Sequence, residues 1–435
     1  MTDMADSLIG RLRASRTWAV TMLGAVGMLA AVDRNILSVL LVPIQNDLKV
    51  SDGAMGALTG TTMALVYATV ALPIGRLADR TDRRKLLAFA LAAWSVATAA
   101  CGMAVNFLQL YLARLAVGAA ESAQPPATMS MIGDLYPAAR RGAAISVVVV
   151  GMTIGFSLGS FIAGVLNDHY GWRGAALAVG LPGLLLALLL RFTVAEPVRG
   201  GQDGAKPTEI SKGTFRQQLR QCARIRTFYP LVLGVVCMNM AFTGWLGWAP
   251  AFLMRVHHLS ATKMSALFGI VVGGAALANM VAGVLSDRLA KRGARWRLYY
   301  CFAVIALAAP ALAASSLVTG LGASIACLLF YTLVSGGLTT VTMATYVSIA
   351  PPQMRAFVTA LVFFCIAVFG GGSGPLVFGL VNDVVSKTHG AEALRYTMLL
   401  GPALLAIAAV LYLVASRTVD EDTAIAAGEA SATTP

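Results

Sequence analysis

The sequence is short of charge, of histidine and of long polar stretches. Only 12% of its 435 residues are Asp, Glu, Lys or Arg, and it holds four histidines. No nucleophile–base constellation stands out and no cluster has metal-ligand spacing, so an enzyme is not expected, and neither a metal nor a cofactor is. The six cysteines (Cys101, Cys222, Cys237, Cys301, Cys327 and Cys365) form no CxxC pair. Five lie in apolar runs and read as small hydrophobes. Polar sequence is concentrated in Glu196 to Arg226 and in the small, acidic tail after Arg417. That tail is expected to be disordered.

What remains is apolar. The chain is 58% hydrophobic, with mean hydropathy +0.75. A soluble protein of this length cannot hide so much apolar surface. Runs of about 20 residues recur, the length a bilayer crossing needs. The expected class is an all-α, polytopic membrane protein with each helix satisfying its own backbone. Twelve crossings are expected, near 17–41, 54–76, 86–105, 107–132, 142–166, 173–193, 228–253, 264–286, 297–315, 320–347, 355–381 and 394–416. They divide into six-helix halves, 1–195 and 227–417, joined by a linker at 196–226 and followed by the tail at 418–435.

The net charge of +13 does not point to nucleic acid, because the basic residues sit in short clusters between apolar runs. With the N-terminus inside, 25 of the 33 Lys and Arg fall in cytoplasmic segments, six in outer ones, and Arg34 and Arg114 within crossings. Both termini and the linker are therefore expected in the cytoplasm. The basic N-terminus and the apolar run behind it mimic a signal peptide. The run is too long and carries Asp33 and Arg34, so an uncleaved first helix is expected.

The halves echo each other. GRLADRTDRRK (Gly75 to Lys85) follows the second crossing, and GVLSDRLAKRG (Gly283 to Gly293) follows the eighth. GVLND (Gly164 to Asp168) is matched by GLVND (Gly379 to Asp383). Such register implies two similar bundles around a pathway. Gly75 and Gly283 would permit close helix approach. Asp79 and Asp287, with Arg80, Arg84 and Arg288 nearby, would pair or sit at a helix terminus. Gly151, Gly155 and Gly159 form a smooth stripe suited to helix packing. GGGSGP (Gly370 to Pro375) reads as flexible or broken.

The charges that call for explanation lie inside crossings. Arg114 and Glu121 are seven residues apart, so they share a helix face and lie about 10 Å apart along it. Asp33 lies about 24 Å along the first crossing and Arg114 about 10 Å from the outer end of the fourth. In a core about 30 Å thick the two reach nearly one level, with Glu121 deeper. An Asp33–Arg114 pair follows. Arg34 projects about 100° away from Asp33, towards a neighbouring helix or a second lobe. Intramembrane charge defaults to function, and a structural ion pair is the alternative. Weaker cavity candidates are Tyr67, Asn239, Thr243, Trp245, Trp248, Tyr331 and Tyr346, which could equally pack between helices. His257 and His258 read as solvated loop residues. The second half has almost no mid-membrane charge, so one charged and one apolar face would suit an amphiphile, a bulky aromatic anion or a drug.

The repeated G-x-L-x-D-R loop and basic cluster resemble the signature of the major facilitator superfamily, with Asp82 where that loop often has Gly. VDRNILSVLLVPIQNDL (Val32 to Leu48), RLAVGAAESA (Arg114 to Ala123), GWRGAALAVGLPG (Gly171 to Gly183), GWLGWAPAFLMR (Gly244 to Arg255) and AEPVRG (Ala195 to Gly200) are similar to the Spinster family of lysolipid and sphingolipid transporters. That family's fourth helix reads G-x-G-E-A, whereas Ala120 and Ser122 flank Glu121 here. The resemblance implies two pseudo-symmetric six-helix bundles and alternating access in a bacterial-type inner membrane. It implies a monomer carrying a lysophospholipid or related amphiphile on the proton gradient. Asp33 and Glu121 would couple protons, and Arg114 and Arg34 would hold the headgroup. Ionised Asp33 would hold Arg114 and release it on protonation. A proton-linked organic-anion or multidrug carrier, and a membrane receptor that moves nothing, stay open beside it.

Overall fold

The computed structural model describes residues 12–13, 15–199, 215–290, 292–351 and 354–427. Among them every regular element is helical. The chain divides into two compact units, 1–206 with 258–269, and 207–257 with 270–435.

In the first unit, α1 (Arg16–Leu48) is followed by α2 (Asp52–Gly56), a π segment (Ala57–Thr61) and α3 (Thr62–Arg80). Then come α4 (Arg83–Gly102), α5 (Phe107–Glu121), α6 (Gln124–Leu135), α7 (Ala138–Gly180) and α8 (Pro182–Thr193). The starts are chemically marked. Ser15 accepts from the Trp18 N–H, Asp82 from Lys85 and Asn106 from Gln109, each satisfying an amide left open by the first turn. Helical sequence from Arg140 to Thr193 runs for 54 residues, about 80 Å and too long for one crossing. Gly171, at φ 70°, breaks it into two.

The second unit follows the linker helix α9 (Phe215–Cys222). It contains α10 (Phe228–Arg255), most of α11 (Ala261–Ala290), α12 (Ala294–Leu317), α13 (Leu321–Ser335) and α14 (Leu338–Ser348). It ends with α15 (Arg355–Cys365), a π segment (Ile366–Gly371), α16 (Ser373–His389), a 3-10 turn, α17 (Ala393–Thr397), α18 (Leu400–Ala415) and α19 (Val419–Ala427). Among the described residues, eight helices are long and apolar enough to cross a membrane. With the fold at Gly171, and with α3, α5–α6 and α11, they make up twelve crossings.

Two expectations are corrected. The tail at 418–435 was expected to be disordered, but its described part forms α19, tied down through its first turn; residues 428–435 lie outside the described residues. Asp422 accepts from the Thr227 amide and hydroxyl, and Asp420 from the Arg295 amide and guanidinium. GGGSGP is not broken: it continues a helix through a π segment, with Gly370 against Asn239 and Gly374 against Thr243. Among the described residues, none lies within 4 Å of where a Cβ at Gly75 would point.

The glycine stripe on α7 packs against α1. A Cβ at Gly155 would lie 2.1 Å from the Met28 carbonyl oxygen, and one at Gly151 2.4 Å from that of Gly24. Backbone cannot move aside as a side chain can. Gly155→Ala is expected to cost about 1–3 kcal/mol by overpacking, read as a lower melting temperature in detergent, whereas Gly142→Ala, with no described residue within 4 Å of its Cβ, is expected not to lower it, since Ala favours a helix over Gly.

Candidate functional site

The buried charges of the first unit converge from three helices. Asp33 and Arg34 lie just past the middle of α1, Thr98 on α4, and Arg114 and Glu121 on α5. Arg34 Nε donates to Glu121 Oε2 at 2.9 Å. Thr98 Oγ1 donates to Asp33 Oδ1 at 2.7 Å. Arg114 Nη1 donates to the Asp33 carbonyl oxygen at 3.2 Å. Asn35, the next residue, donates to Ser160 and, at 3.4 Å, to the Phe156 carbonyl on α7.

The pairing expected from depth is therefore rearranged. Arg114 is buried and holds the Asp33 backbone, not its carboxylate. The carboxylate partner of Glu121 is Arg34, the residue whose direction alone was expected. The Arg34 side chain is 32% exposed and that of Glu121 is fully buried. Of the two arginines, Arg34 is the one within reach of a solute.

Broken helix geometry places the acid. Glu121 is the last residue of α5, Ser122 and Ala123 interrupt the helix, and Pro125 and Pro126 follow in α6. Proline has no N–H and clashes with the preceding turn, so the helix cannot run through unaltered. In the second unit the corresponding crossing breaks at Gly336 and Gly337. Asp33 Oδ2, Glu121 Oε1 and Arg114 Nε are buried and make no hydrogen bond to any of the described residues. A 10 Å³ cavity lined by Thr98, Cys101, Arg114 and Trp172 lies beside them, about the space of one water.

The second unit has its own cavity, of 370 Å³. Asn239 and Tyr331 line it with Met238, Phe242, Ser335 and Thr339. Thr243, Trp245, Trp248 and Tyr346 do not. Thr243 bonds the Asn239 and Gly370 carbonyls, and Trp248 Nε1 donates to Pro375 O at 2.9 Å. Trp245 meets Tyr331 edge-on at 5.4 Å, and Tyr346 is buried away from the cavity lining. The side chains of Tyr67, Asp79 and Asp287 lie outside the described residues, as do the surroundings of Gly283. Arg80 and Arg288 are exposed.

Sequence reasoning missed Arg83. It is buried and donates to Asp134 (2.5 Å), Ser130 (2.7 Å), Glu196 (2.7 Å) and the Pro197 carbonyl (3.0 Å), tying α4, α6 and the end of α8. The signal was Glu196 in AEPVRG, read only as a family mark. Arg84 donates to Val194 O and Asp82. Burial opposes ionisation of Asp82, but the Lys85 amide and Arg84 win and hold its carboxyl below the usual range.

At the opposite end of the crossings, Asp168 accepts from the Thr262 N–H (2.9 Å) at the first turn of α11, where a helix terminus favours an anion. Burial again opposes ionisation, and hydrogen bonds from Thr262, Asn167 and Ala261 outweigh it, so this carboxyl is held below its ordinary value. A depressed carboxylate contributes stability above its unfolded pKa and loses it as pH falls through the folded one. Melting curves are expected to show wild type above Asp168→Asn at pH 7, the two converging in acid as Asp168 protonates.

A twelve-crossing chain of two echoing halves, with paired charges buried in mid-crossing, is a membrane transporter built by duplication. This chain belongs to the Major Facilitator Superfamily, whose model matches residues 23–375. It is 31% identical over 423 residues to an MFS-type efflux pump of Mycolicibacterium smegmatis, covering 95% of each chain. It is 25% identical to the sphingosine-1-phosphate transporter SPNS2 of Danio rerio, over 89% of this chain and 80% of that one. A crystal structure of a bacterial homologue of the human lysosomal transporter Spinster, inward-facing and unoccupied, matches with TM-score 0.86 and 26% identity, over 94% of this chain and 98% of that one.

Proposed function

We propose that the chain is a proton-coupled carrier, working by alternating access, of a single-chain amphiphile with an anionic head, of lysophospholipid or sphingolipid type. Its place is an inner membrane with both termini cytoplasmic, as the basic clusters favour. The observation that carries this reading is the one-third-exposed Arg34 held by the fully buried Glu121.

An anionic headgroup and the Glu121 carboxylate compete for one guanidinium. When the headgroup takes Arg34, Glu121 is left buried without its cation. An uncompensated buried charge costs several kcal/mol, roughly, so the carboxylate takes a proton instead. Binding the anion thus brings in a proton. Asp33, with one oxygen on Thr98 and one without a partner among the described residues, is the second proton site. Arg114 holds the α1 backbone beside them and fixes the network's geometry. The 370 Å³ apolar and hydroxylated cavity of the second unit suits the tail. The similarity to an efflux pump favours a second reading, a proton-linked carrier of organic anions or drugs. Uptake into proteoliposomes of radiolabelled lysophosphatidate against a sugar acid and a cationic dye separates the readings. Preference for the lysolipid supports the first, and transport of the dye or sugar acid alone overturns it.

A further inference from the structure

A groove of 380 Å³ lies between α4 and α8, away from the charge network. Phe89, Ala92, Leu184 and Leu188 give it an apolar floor, and Lys85 and Arg191 line it too. Phe89 is 74% exposed and Leu188 57%, so in a membrane protein this is a surface for acyl chains. Both cations sit at one end of the groove, because Lys85 is the third residue of α4 and Arg191 the third from the end of α8. Ala92 lies about 10 Å further into the bilayer along α4.

The same end is basic as a whole. Arg13 donates to the Phe192 carbonyl and Arg84 to that of Val194. With Arg83, Lys85 and Arg191 this makes five cations, against the carboxylates of Asp82, Asp134 and Glu196. Those three acids are engaged by Arg83, Arg84 and the amides of residues 84 and 85. Lys85 lies 3.7 Å from Asp82, and its ammonium has further donors to offer. The Arg191 guanidinium lies 5.6 Å from the Phe192 ring centroid, and stacking on a ring face uses none of its five N–H donors.

We infer that this groove is a binding site for an anionic phospholipid of the adjacent leaflet, with its phosphate on Lys85 and Arg191 and an acyl chain over Phe89 and Ala92. Basic pockets between transmembrane helices hold such headgroups, and each cation near a charged surface adds about fivefold in affinity. The inference does not depend on what the carrier transports.

Native mass spectrometry of the purified full chain, titrated with phosphatidylglycerol or phosphatidylcholine, tests it. Wild type is expected to bind phosphatidylglycerol at least tenfold more tightly. Lys85→Gln with Arg191→Gln is expected to weaken phosphatidylglycerol about 25-fold and to leave phosphatidylcholine unchanged. Ala92→Phe, which fills the floor, weakens phosphatidylglycerol without changing charge, so it decides the matter if the double variant fails to fold. Arg216→Gln with Arg220→Gln, an equal charge change on the linker helix, leaves binding intact. Equal binding of the two lipids overturns the site, as does an equal loss from the linker variant. So does complete competition by glycerol phosphate, which has no chain, or displacement by the transported lysolipid.

Discussion

Glu121→Gln is expected to uncouple transport from the proton gradient. In proteoliposomes with an imposed pH difference, wild type accumulates lysolipid, and the variant carries it only until the two sides are equal. A neutral amide cannot take the proton that a displaced carboxylate must. The variant also loses its charge-assisted bond to Arg34, so the Glu121 carboxylate no longer competes with the headgroup for that guanidinium. Headgroup affinity in Glu121→Gln is therefore expected to match or exceed wild type and to lose its pH dependence. Wild-type affinity falls about tenfold per pH unit wherever one proton is taken up with each ligand. Scintillation proximity binding across pH 5 to 8 reads both slopes.

Arg34→Gln is expected to weaken headgroup binding about 10- to 100-fold, the worth of a charge-assisted hydrogen bond of 1.5–3 kcal/mol. It also strands Glu121. Removing one partner of a buried pair costs about 3–5 kcal/mol in stability, whereas replacing both costs far less. The double variant Arg34→Gln, Glu121→Gln is therefore expected to melt above Arg34→Gln alone and to bind no better. Melting temperatures of the four proteins close a double-mutant cycle on the pair. A cycle that sums to zero would leave Arg34 and Glu121 without coupling.

Most of the fold is legible in the sequence because each crossing is set by its own residues. Apolar run length, the basic clusters and the repeated loop need no knowledge of neighbours. The separation of the crossings at 142–166 and 173–193 was legible in the same way; only the device, a positive φ at Gly171 within one continuous helical run, belongs to the structure. The site is half legible. Depth along a helix follows from rise per residue, so Asp33, Arg34, Arg114 and Glu121 were all marked as buried charge. Which acid meets which base depends on how α1 and α5 are rotated about their axes, and no single helix encodes that. Hence Arg114 was expected on the Asp33 carboxylate and lies on its carbonyl. Trp245 and Trp248 illustrate the same limit, since an aromatic ring in a crossing reads alike whether it lines a cavity or fills a joint. Arg83 was hidden for another reason: it sits among five basic residues, and only the fold shows which one is buried.

The claim beneath both variants is that an anion and a proton enter the first unit together, because both answer to Arg34 and Glu121. Proton uptake on binding measures it directly, with a pH-sensitive dye in weakly buffered detergent as lysolipid is added. Expected is close to one proton taken up per ligand bound by wild type and none by Glu121→Gln. Saturable lysolipid binding by wild type with no proton uptake at any pH from 5 to 8 would contradict it.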